Sequence, residues 1–565
     1  MLKSFWHLII LMILFISCKG DEIIYDTEVL VYGATSGGIT AAIQAARMGD
    51  QVILIEPSNH IGGTTTGGLV WTDYGQEGVV GGLAGEFYNR VTQHYKSDAA
   101  WKVEDPFRQR LLNEKLKYIK SFEPRVADSI YHQMLSEAGI QLIIGERLDL
   151  ESGVEKKDNK ITSVTFETGK TLKAKVFIDA TYEGDLMALA GVSYHVGRES
   201  ADTYNESLAG VLPDDSTIRQ PKRYFNKVDP WIRGANLRGY SRVDPYDKEG
   251  NLLYGIQNLP LEAPGAGDDK VQAYNVRIVL TTDPDNLIPI TKPADYDSTK
   301  YELLIRYVNA HQFDHIRQVL FKIDPVPNQK TDINDGCPYS TDYIGANWDY
   351  PEADYARREE ILGEHHSFTK GLIYFIGHDP RMPASIRSEM LRYGYPKDEY
   401  VNNNHWTPQV YIRETRRMIG EYVMTQNDID TNTQKEHSVG MGSYALDSHH
   451  IQRLVTKDGE LINEGNFTIH INGPYEIPYE SLIPKEKECA NLIVPVCVSS
   501  SHVAFGSIRM EPVYMVLGQT AGTAASLALK EDNNVHRVEY ENLRSQLIQD
   551  GQTLKYVGSN TKEEW

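Results

Sequence analysis

One stretch constrains this chain more than any other: residues 28–68, EVLVYGATSGGITAAIQAARMGDQVILIEPSNHIGGTTTGG. Val29 to Tyr32 is a short apolar run, as expected of a parallel strand buried on both faces. Gly33-Ala34-Thr35-Ser36-Gly37-Gly38 is a glycine turn, and Ile39 to Met48 has the small, apolar composition of a helix packed on a sheet. Gly49 stands where a helix C′ glycine belongs. Gln51 to Ile55 is a second strand ending in Glu56, and a second glycine loop, Ile61 to Gly68, follows. The order strand, turn, helix, strand opens an α/β fold.

A helix N-terminus presents unpaired N–H groups and a positive dipole end, so it holds a pyrophosphate without a cationic side chain. Gly33 permits the tight turn, and Gly38 lets the helix approach the strand. Glu56 lies where a carboxylate takes a ribose hydroxyl pair, about 20 residues on. Thr35 stands where a second glycine is usual, so its side chain must point away from the phosphates or bond them. With strand, helix, second strand and acid all in register, Gly33, Thr35, Ser36, Gly37, Gly38 and Glu56 form a dinucleotide site. Gly62, Gly63 and Thr64 extend it. A nicotinamide domain has no need of a glycine loop there, whereas the ribityl chain and ring of FAD need close backbone approach.

On these residues the sequence resembles the glutathione-reductase-type group of FAD oxidoreductases. More narrowly, it resembles a bacterial FAD-dependent oxidoreductase family whose members are sometimes labelled xanthan-lyase-like. The resemblance covers nearly all of residues 28–529, including the blocks from Asn334, His378 and Asn404. It implies an α/β fold: a Rossmann FAD-binding domain with an inserted α+β substrate domain. It implies that the segment at Val126 touches the adenine side of FAD. In Phe177 to Asp185 it implies FAD contact by Ala180 and Thr181, with Asp185 nearby and Tyr182 replacing the family's glycine. Asp185 can equally cap the helix after it. It implies, last, that a helix opened by Gly518, Thr520 and Ala521 points its N-terminus at the flavin pyrimidine, where its dipole would stabilise the reduced ring.

At 565 residues the chain exceeds what one core usually supports. We read residues 26–198 as the first part of the FAD domain, 199–473 as the inserted substrate domain and 474–535 as the returning FAD part. Residues 536–565 are a surface helix and tail. A net charge of −21 argues against a nucleic-acid partner, because phosphate binding needs basic surface. The zinc signature HExxH is absent, the doublets His365-His366 and His449-His450 lack ligand spacing, and no metal is expected. There is neither a CxxC nor a GxSxG. Cys337, Cys489 and Cys497 read as buried thiols.

Residues 1–17 have the shape of a signal peptide, with the apolar run Leu8 to Ile16 too short to span a bilayer. Leu14 to Cys18 resembles a bacterial lipobox, which would leave Cys18 lipidated and the protein anchored to a membrane outside the cytoplasm. The competing reading is an uncleaved anchor.

For catalysis, His502 lies just past the last sheet strand, where ligands gather, and its ordinary pKa suits a general base. It can also simply brace the loop Ser499 to Ser501. Arg509 would stabilise an alkoxide or the reduced flavin. Arg413 to Arg417 is either an ion-pair network joining domains or a clamp, with Arg413 toward the flavin. His60, two residues before Gly62, is either a site of covalent flavin attachment or a turn cap. His405 with Trp406 is a sugar-binding pair or structural. The function expected is oxidation of a small, carbohydrate-derived substrate by hydride transfer to flavin N5, with an unknown electron acceptor. The rivals are a flavin-dependent lyase or isomerase and a glycan-binding lipoprotein with a vestigial flavin site.

Overall fold

A computed structural model describes residues 24–113, 117–212, 243–320, 322–334, 338–457 and 459–556. The leader with Cys18, and Asp335 to Cys337, lie outside the described residues. Strand β1 (Ile24–Tyr32) runs into the glycine turn, helix α1 (Ser36–Arg47) and strand β2 (Val52–Glu56). Helix α2 (Pro124–Glu137) starts with proline, whose missing N–H costs nothing in a first turn, and leads to β3 (Gln141–Ile144). A hairpin, β4 (Val154–Lys157) and β5 (Lys160–Thr165), precedes β6 (Thr171–Asp179). The main sheet runs β3-β2-β1-β6, all parallel, with the short β7 (Leu492–Ile493) parallel on the far side of β6. β6 has two partners along one edge. Its first residues pair antiparallel with β5, and Phe177 and Ile178 pair with β7.

The strand order reverses direction at β1, and the carboxyl ends of β1, β2 and β6 face one crevice, which is where open α/β sheets bind ligands. This is the Rossmann-type arrangement expected from the sequence. Chain from residue 199 onward adds a second sheet of five antiparallel strands, in the order Ile323–Val326, Lys330–Ile333, Ile278–Thr281, Gly394–Pro396, Leu287–Pro289.

Three elements differ from expectation. The run Val271 to Thr281 reads as one strand, but only Ile278–Thr281 forms a ladder, and Asn275 before it makes isolated bridges to Asp342 and Tyr411. The Asn275 side-chain amide donates to Asn334, Thr341 and Asp342. No element is expected from the sequence at helix α3 (Tyr355–His378). Its opening, YARREE, is charged, and its start depends on Asp354, which accepts from the Arg357 N–H. The C-terminal helix Tyr540–Gln549 is not wholly solvated, since Leu543 and Leu547 pack against the core. Among the described residues no helix is long and apolar enough to cross a membrane.

Helices α4 (His502–Ile508) and α5 (Glu511–Ala528) return the chain to the first unit. α5 is buried almost all round, as its apolar, small-residue composition requires. It crosses α1 so closely that a Cβ on Gly518 would stand 2.0 Å from the Gly37 carbonyl oxygen, and one on Gly522 2.3 Å from that of Ala41.

Candidate active site

A cavity of about 770 Å³ opens at the carboxyl ends of β1, β2 and β6. One wall is the Rossmann core, with Gly33, Thr35, Glu56, Gly63, Thr181 and Tyr182. The opposite wall comes from the later chain, including Tyr350, Tyr355, Arg358, Tyr400 and Gln409 to Ile412 without Tyr411.

Thr35 resolves the irregular glycine turn. Its hydroxyl donates to the Ala180 carbonyl at 2.7 Å and accepts from the Gly38 N–H at 3.2 Å, so it caps α1 with its side chain turned inward. Glu56 ends β2 and accepts from the Ala34 N–H (2.8 Å) and from the N–H and hydroxyl of Ser58 (2.9 and 2.7 Å). Burial pushes its carboxyl up to about 7 against those hydrogen bonds. Both Ser58 donors fall on Oε1, so it is Oε2, with one donor, that keeps a lone pair for a further donor. Gly63 has φ 54°, and a Cβ there would stand 2.2 Å from the Tyr182 hydroxyl, so the second glycine loop approaches the turn as only glycine permits. Gly62, also left-handed, donates its N–H to the Ala34 carbonyl.

One residue that sequence reasoning passed over, Glu511, joins these elements beneath the cavity. The buried carboxylate of Glu511, in the first turn of α5, accepts from the hydroxyls of Ser36, Thr64, Thr65 and Tyr182. Tyr182 also accepts from the Thr64 N–H. Glu511 thus ties the glycine turn, the second glycine loop and the β6 end together. Burial raises its carboxyl above the ordinary value, opposed by those hydroxyls. Proline at the second helical position, Pro512, was the available signal that a helix began there.

That signal corrects the expected position of the last helix terminus. Gly518, Thr520 and Ala521 lie inside α5, packed against α1 and the Val439 carbonyl, and none lines the cavity. The run GQTAGTAA resembles a phosphate turn because close helix crossing demands the same small residues. Val126 is corrected too. It is buried in the core, and the face of α2 that meets the cavity is Arg125, Asp128 and His132, spaced as one helical stripe. Ala180 lies beneath the turn rather than on the cavity surface, while Thr181 lines it.

Asp185 lines the cavity but is held by two arginines, Arg358 (2.6 and 2.9 Å) and Arg416 (2.7 Å). Despite burial, these hold its carboxyl below the ordinary value. It does not cap the helix after it, because the Met187 N–H is taken by Asp179. The Arg413 to Arg417 cluster is an ion-pair network. Arg416 also meets Glu352, Arg417 meets Glu199 and Glu414, and Arg413 donates to Asp342 (2.9 Å) and the Ala273 carbonyl.

His502 is wholly buried, off the cavity, with Nδ1 2.9 Å from Glu414 and Nε2 3.3 Å from the Ser448 hydroxyl. Burial raises the Glu414 carboxyl, but His502 and Arg417 together bring it down to about 2. Both ring nitrogens are therefore engaged in bracing. Arg509 donates to the Tyr411 hydroxyl (2.7 Å) and to Asp447. His60 caps its turn, with Nε2 near Thr66 (2.9 Å) and the Gly63 carbonyl (3.2 Å). Trp406 is buried and donates to His366, and His405 lies near the Glu399 carbonyl, so both are structural. Cys489 and Cys497 are buried free thiols. Glu123, Asp398 and Glu399 converge, in a manner that could suit a cation, on the Lys330 ammonium at 2.5–2.8 Å.

The residues present fit FAD. The α1 N-terminus, the Glu56 carboxylate and two glycine approaches that a Cβ would block all border one cavity, whose volume lies within the about 300–1,000 Å³ of small-molecule sites. No curated protein matches the sequence. Among solved structures, the chain is similar to the anhydrotetracycline hydroxylase OxyS of Streptomyces rimosus, with 14% identity and a TM-score of 0.23 over 34% of this chain and 41% of that one. It is similar to L-proline dehydrogenase from P. horikoshii, with 16% identity and a TM-score of 0.21 over 31% and 59%. The L-amino acid deaminase of Proteus vulgaris gives 16% and 0.20 over 32% and 54%. The chain thus spans about half the length of the structures it matches. A family model described as FAD dependent oxidoreductase matches residues 28–547, nearly the whole described chain. The protein belongs to that family of FAD-dependent oxidoreductases, with FAD as its cofactor.

Proposed function

We propose that this is an exported, lipid-anchored oxidoreductase that oxidises a small, carbohydrate-derived substrate and passes the electrons to a separate acceptor. The observation that carries the reading is the composition of the second cavity wall. Tyr350, Tyr355, Tyr400, Asp398, Asn402 and Asn403 set hydroxyl, carboxylate and amide groups opposite the cofactor-binding core, a lining suited to a polyhydroxylated ligand. Bound FAD supplies acceptance of a hydride at N5. The chain's own part is to hold the adenosine ribose on Glu56, to seat the pyrophosphate on the α1 terminus, and to orient the substrate's hydroxyls from the 350–412 wall. Anchoring rests on the lipobox ending at Cys18, and Cys18→Ala should abolish partition into detergent.

The purified protein should release FAD on heating. Anaerobic addition of aldoses, alditols and sugar acids should bleach the flavin with at least one member of the panel. Product formed while the flavin stays oxidised would favour a redox-neutral reaction.

Glu56→Ala removes a charge-assisted bond worth roughly 1.5–3 kcal/mol and should weaken FAD binding about 10- to 100-fold. Glu56 also sets a pH dependence. Its folded pKa, about 7, lies above the ordinary 4.5, so its contribution to stability is fully present below 4.5 and is lost as pH rises through 7. The cofactor-free protein should unfold at a lower temperature at pH 8 than at pH 5.5, and FAD, whose ribose hydroxyls favour the ionised form, should narrow the gap. A cofactor-free protein more stable at pH 8 would contradict this.

A further inference from the structure

Glu56 accounts for the ribose of FAD but not for the adenine beyond it. β3 lies parallel to β2, and past its end the two chains stay joined. The Gly145 N–H donates to the Ser58 carbonyl at 2.8 Å, and the Glu146 N–H to the Glu56 carbonyl at 3.2 Å. Arg147 therefore stands one residue beyond a direct backbone contact with Glu56, and it lines the cavity. The next residue is also held, because the Leu148 N–H donates to the Tyr32 hydroxyl at 2.9 Å.

From the opposite wall, α3 presents Tyr355, Arg358, Glu359 and Leu362 to the same cavity. That spacing is one face of a helix. Two of the four act on Arg147. Glu359 pairs with its guanidinium at 2.5 Å, and the guanidinium carbon stands 5.0 Å from the centroid of the Tyr355 ring. The Tyr355 hydroxyl is buried near that of Tyr32, and Arg358 bonds both oxygens of Asp185, at 2.6 and 2.9 Å, so this end of α3 is fixed to the Rossmann core.

A guanidinium is flat, and an aromatic ring against one face leaves the other for a second ring. Purine bases are held in this way, stacked on arginine planes as on aromatic ones. The pyrophosphate seat at α1 takes FAD in one direction from Glu56. The base must leave the ribose in another, and Pro57, Ser58, Asn59 and Arg147 line the cavity past the ends of β2 and β3. The pair with Glu359 is partly exposed, at 37% and 59%, so it orders the arginine weakly without the ring behind it.

We propose that Arg147 stacks on the adenine of FAD, with Tyr355 and Glu359 of α3 as the positioning residues that hold its plane. The later wall thereby completes the cofactor site at its Tyr355 end and leaves residues 398–412 to the substrate. The proposal rests on the adenosine ribose lying on Glu56 and is independent of what the substrate is.

Release of FAD from the diluted holoenzyme, followed as recovered flavin fluorescence, tests it. Arg147→Met should weaken FAD binding about 10- to 100-fold, as loss of one stacked base does, and the flavin still bound should keep the parental visible spectrum. Arg147→Lys, which keeps the charge and loses the plane, should fare no better. Tyr355→Leu should weaken binding in the parent and add little in the Arg147→Met background, because it acts through Arg147. Parental affinity in Arg147→Met beside a weakened Glu56→Ala would overturn the proposal, and so would parental affinity in Arg147→Lys. Additive losses from Arg147→Met and Tyr355→Leu would overturn the positioning role of Tyr355. If Glu56→Ala also binds FAD as the parent does, the ribose lies elsewhere and the proposal falls with that placement.

Discussion

Lys330→Met is expected to cost about 3–5 kcal/mol of stability at pH 8 and distinctly less at pH 5.5. The ammonium of Lys330 is fully buried and contacts Glu123, Asp398 and Glu399 at 2.7, 2.8 and 2.5 Å. Arg125 bonds Glu123 at 2.8 Å from the other side. Three carboxylates thus share two cations. Burial drives Glu399 up to about 7, whereas Asp398, buried but opposed by Lys330, is brought down to about 2. Removing the ammonium leaves three carboxylates facing one another in low dielectric, and all must rise. A group whose folded pKa is raised loses its contribution to stability as pH rises through that value, so the variant is worst in base. In the parent, the contribution of Asp398 is present above its ordinary 3.8 and is lost as pH falls toward 2, so it does not disturb the comparison. Thermal unfolding at the two pH values measures the difference. An equal loss at both would show that the cluster is not the origin of the effect.

Gly518→Ala should remove most of the bound FAD although residue 518 never touches the cofactor's cavity. A Cβ there would stand 2.0 Å from the Gly37 carbonyl oxygen and 2.4 Å from the Thr40 hydroxyl. The first is backbone and cannot rotate away. α5 and the first turn of α1 must separate, and that turn is the pyrophosphate seat. Overpacking of this kind costs typically about 1–3 kcal/mol. Here the strain falls on Ser36 and Glu511, whose bond joins the two helices. Gly363→Ala, in an exposed position of α3 with nothing within 4 Å, is the control and should stabilise by roughly 0.5–1 kcal/mol. The ratio of flavin to protein absorbance, compared between the two variants, decides the matter. Full FAD occupancy in Gly518→Ala would mean that the crossing yields without moving the turn.

What could be read from the sequence was local. Residues 28–68 carry strand, turn and helix in one continuous pattern, and Pro124 with Gly139 brackets α2 without help from the rest of the chain. What escaped depends on partners far away. Glu511 meets Ser36 across 475 residues, and His449 meets Asp342 across 107, so neither spacing forms a motif. The doublet His449-His450 was judged against zinc spacing, which says nothing about a carboxylate partner. Small residues misled at Gly518 because a helix crossing and a phosphate turn select the same composition. The charged opening of α3 concealed a helix whose cap, Asp354, was visible but whose burial was not.

The same long spans determine when the cofactor's seat can exist. α1 is made early, yet the face it buries belongs to α5, with Thr40 bonded to the Met515 carbonyl 475 residues later. At synthesis rates of about 5–20 residues per second, roughly half a minute to a minute and a half separates the two. Throughout that interval the face of α1 turned toward α5 has no partner to rest on, although Thr35 can already bond Ala180, and the far end of β6 awaits β7 in the same way. A nascent chain of this design therefore keeps its cofactor seat open until its last sixth emerges, and the flavin can be enclosed only after synthesis is nearly complete.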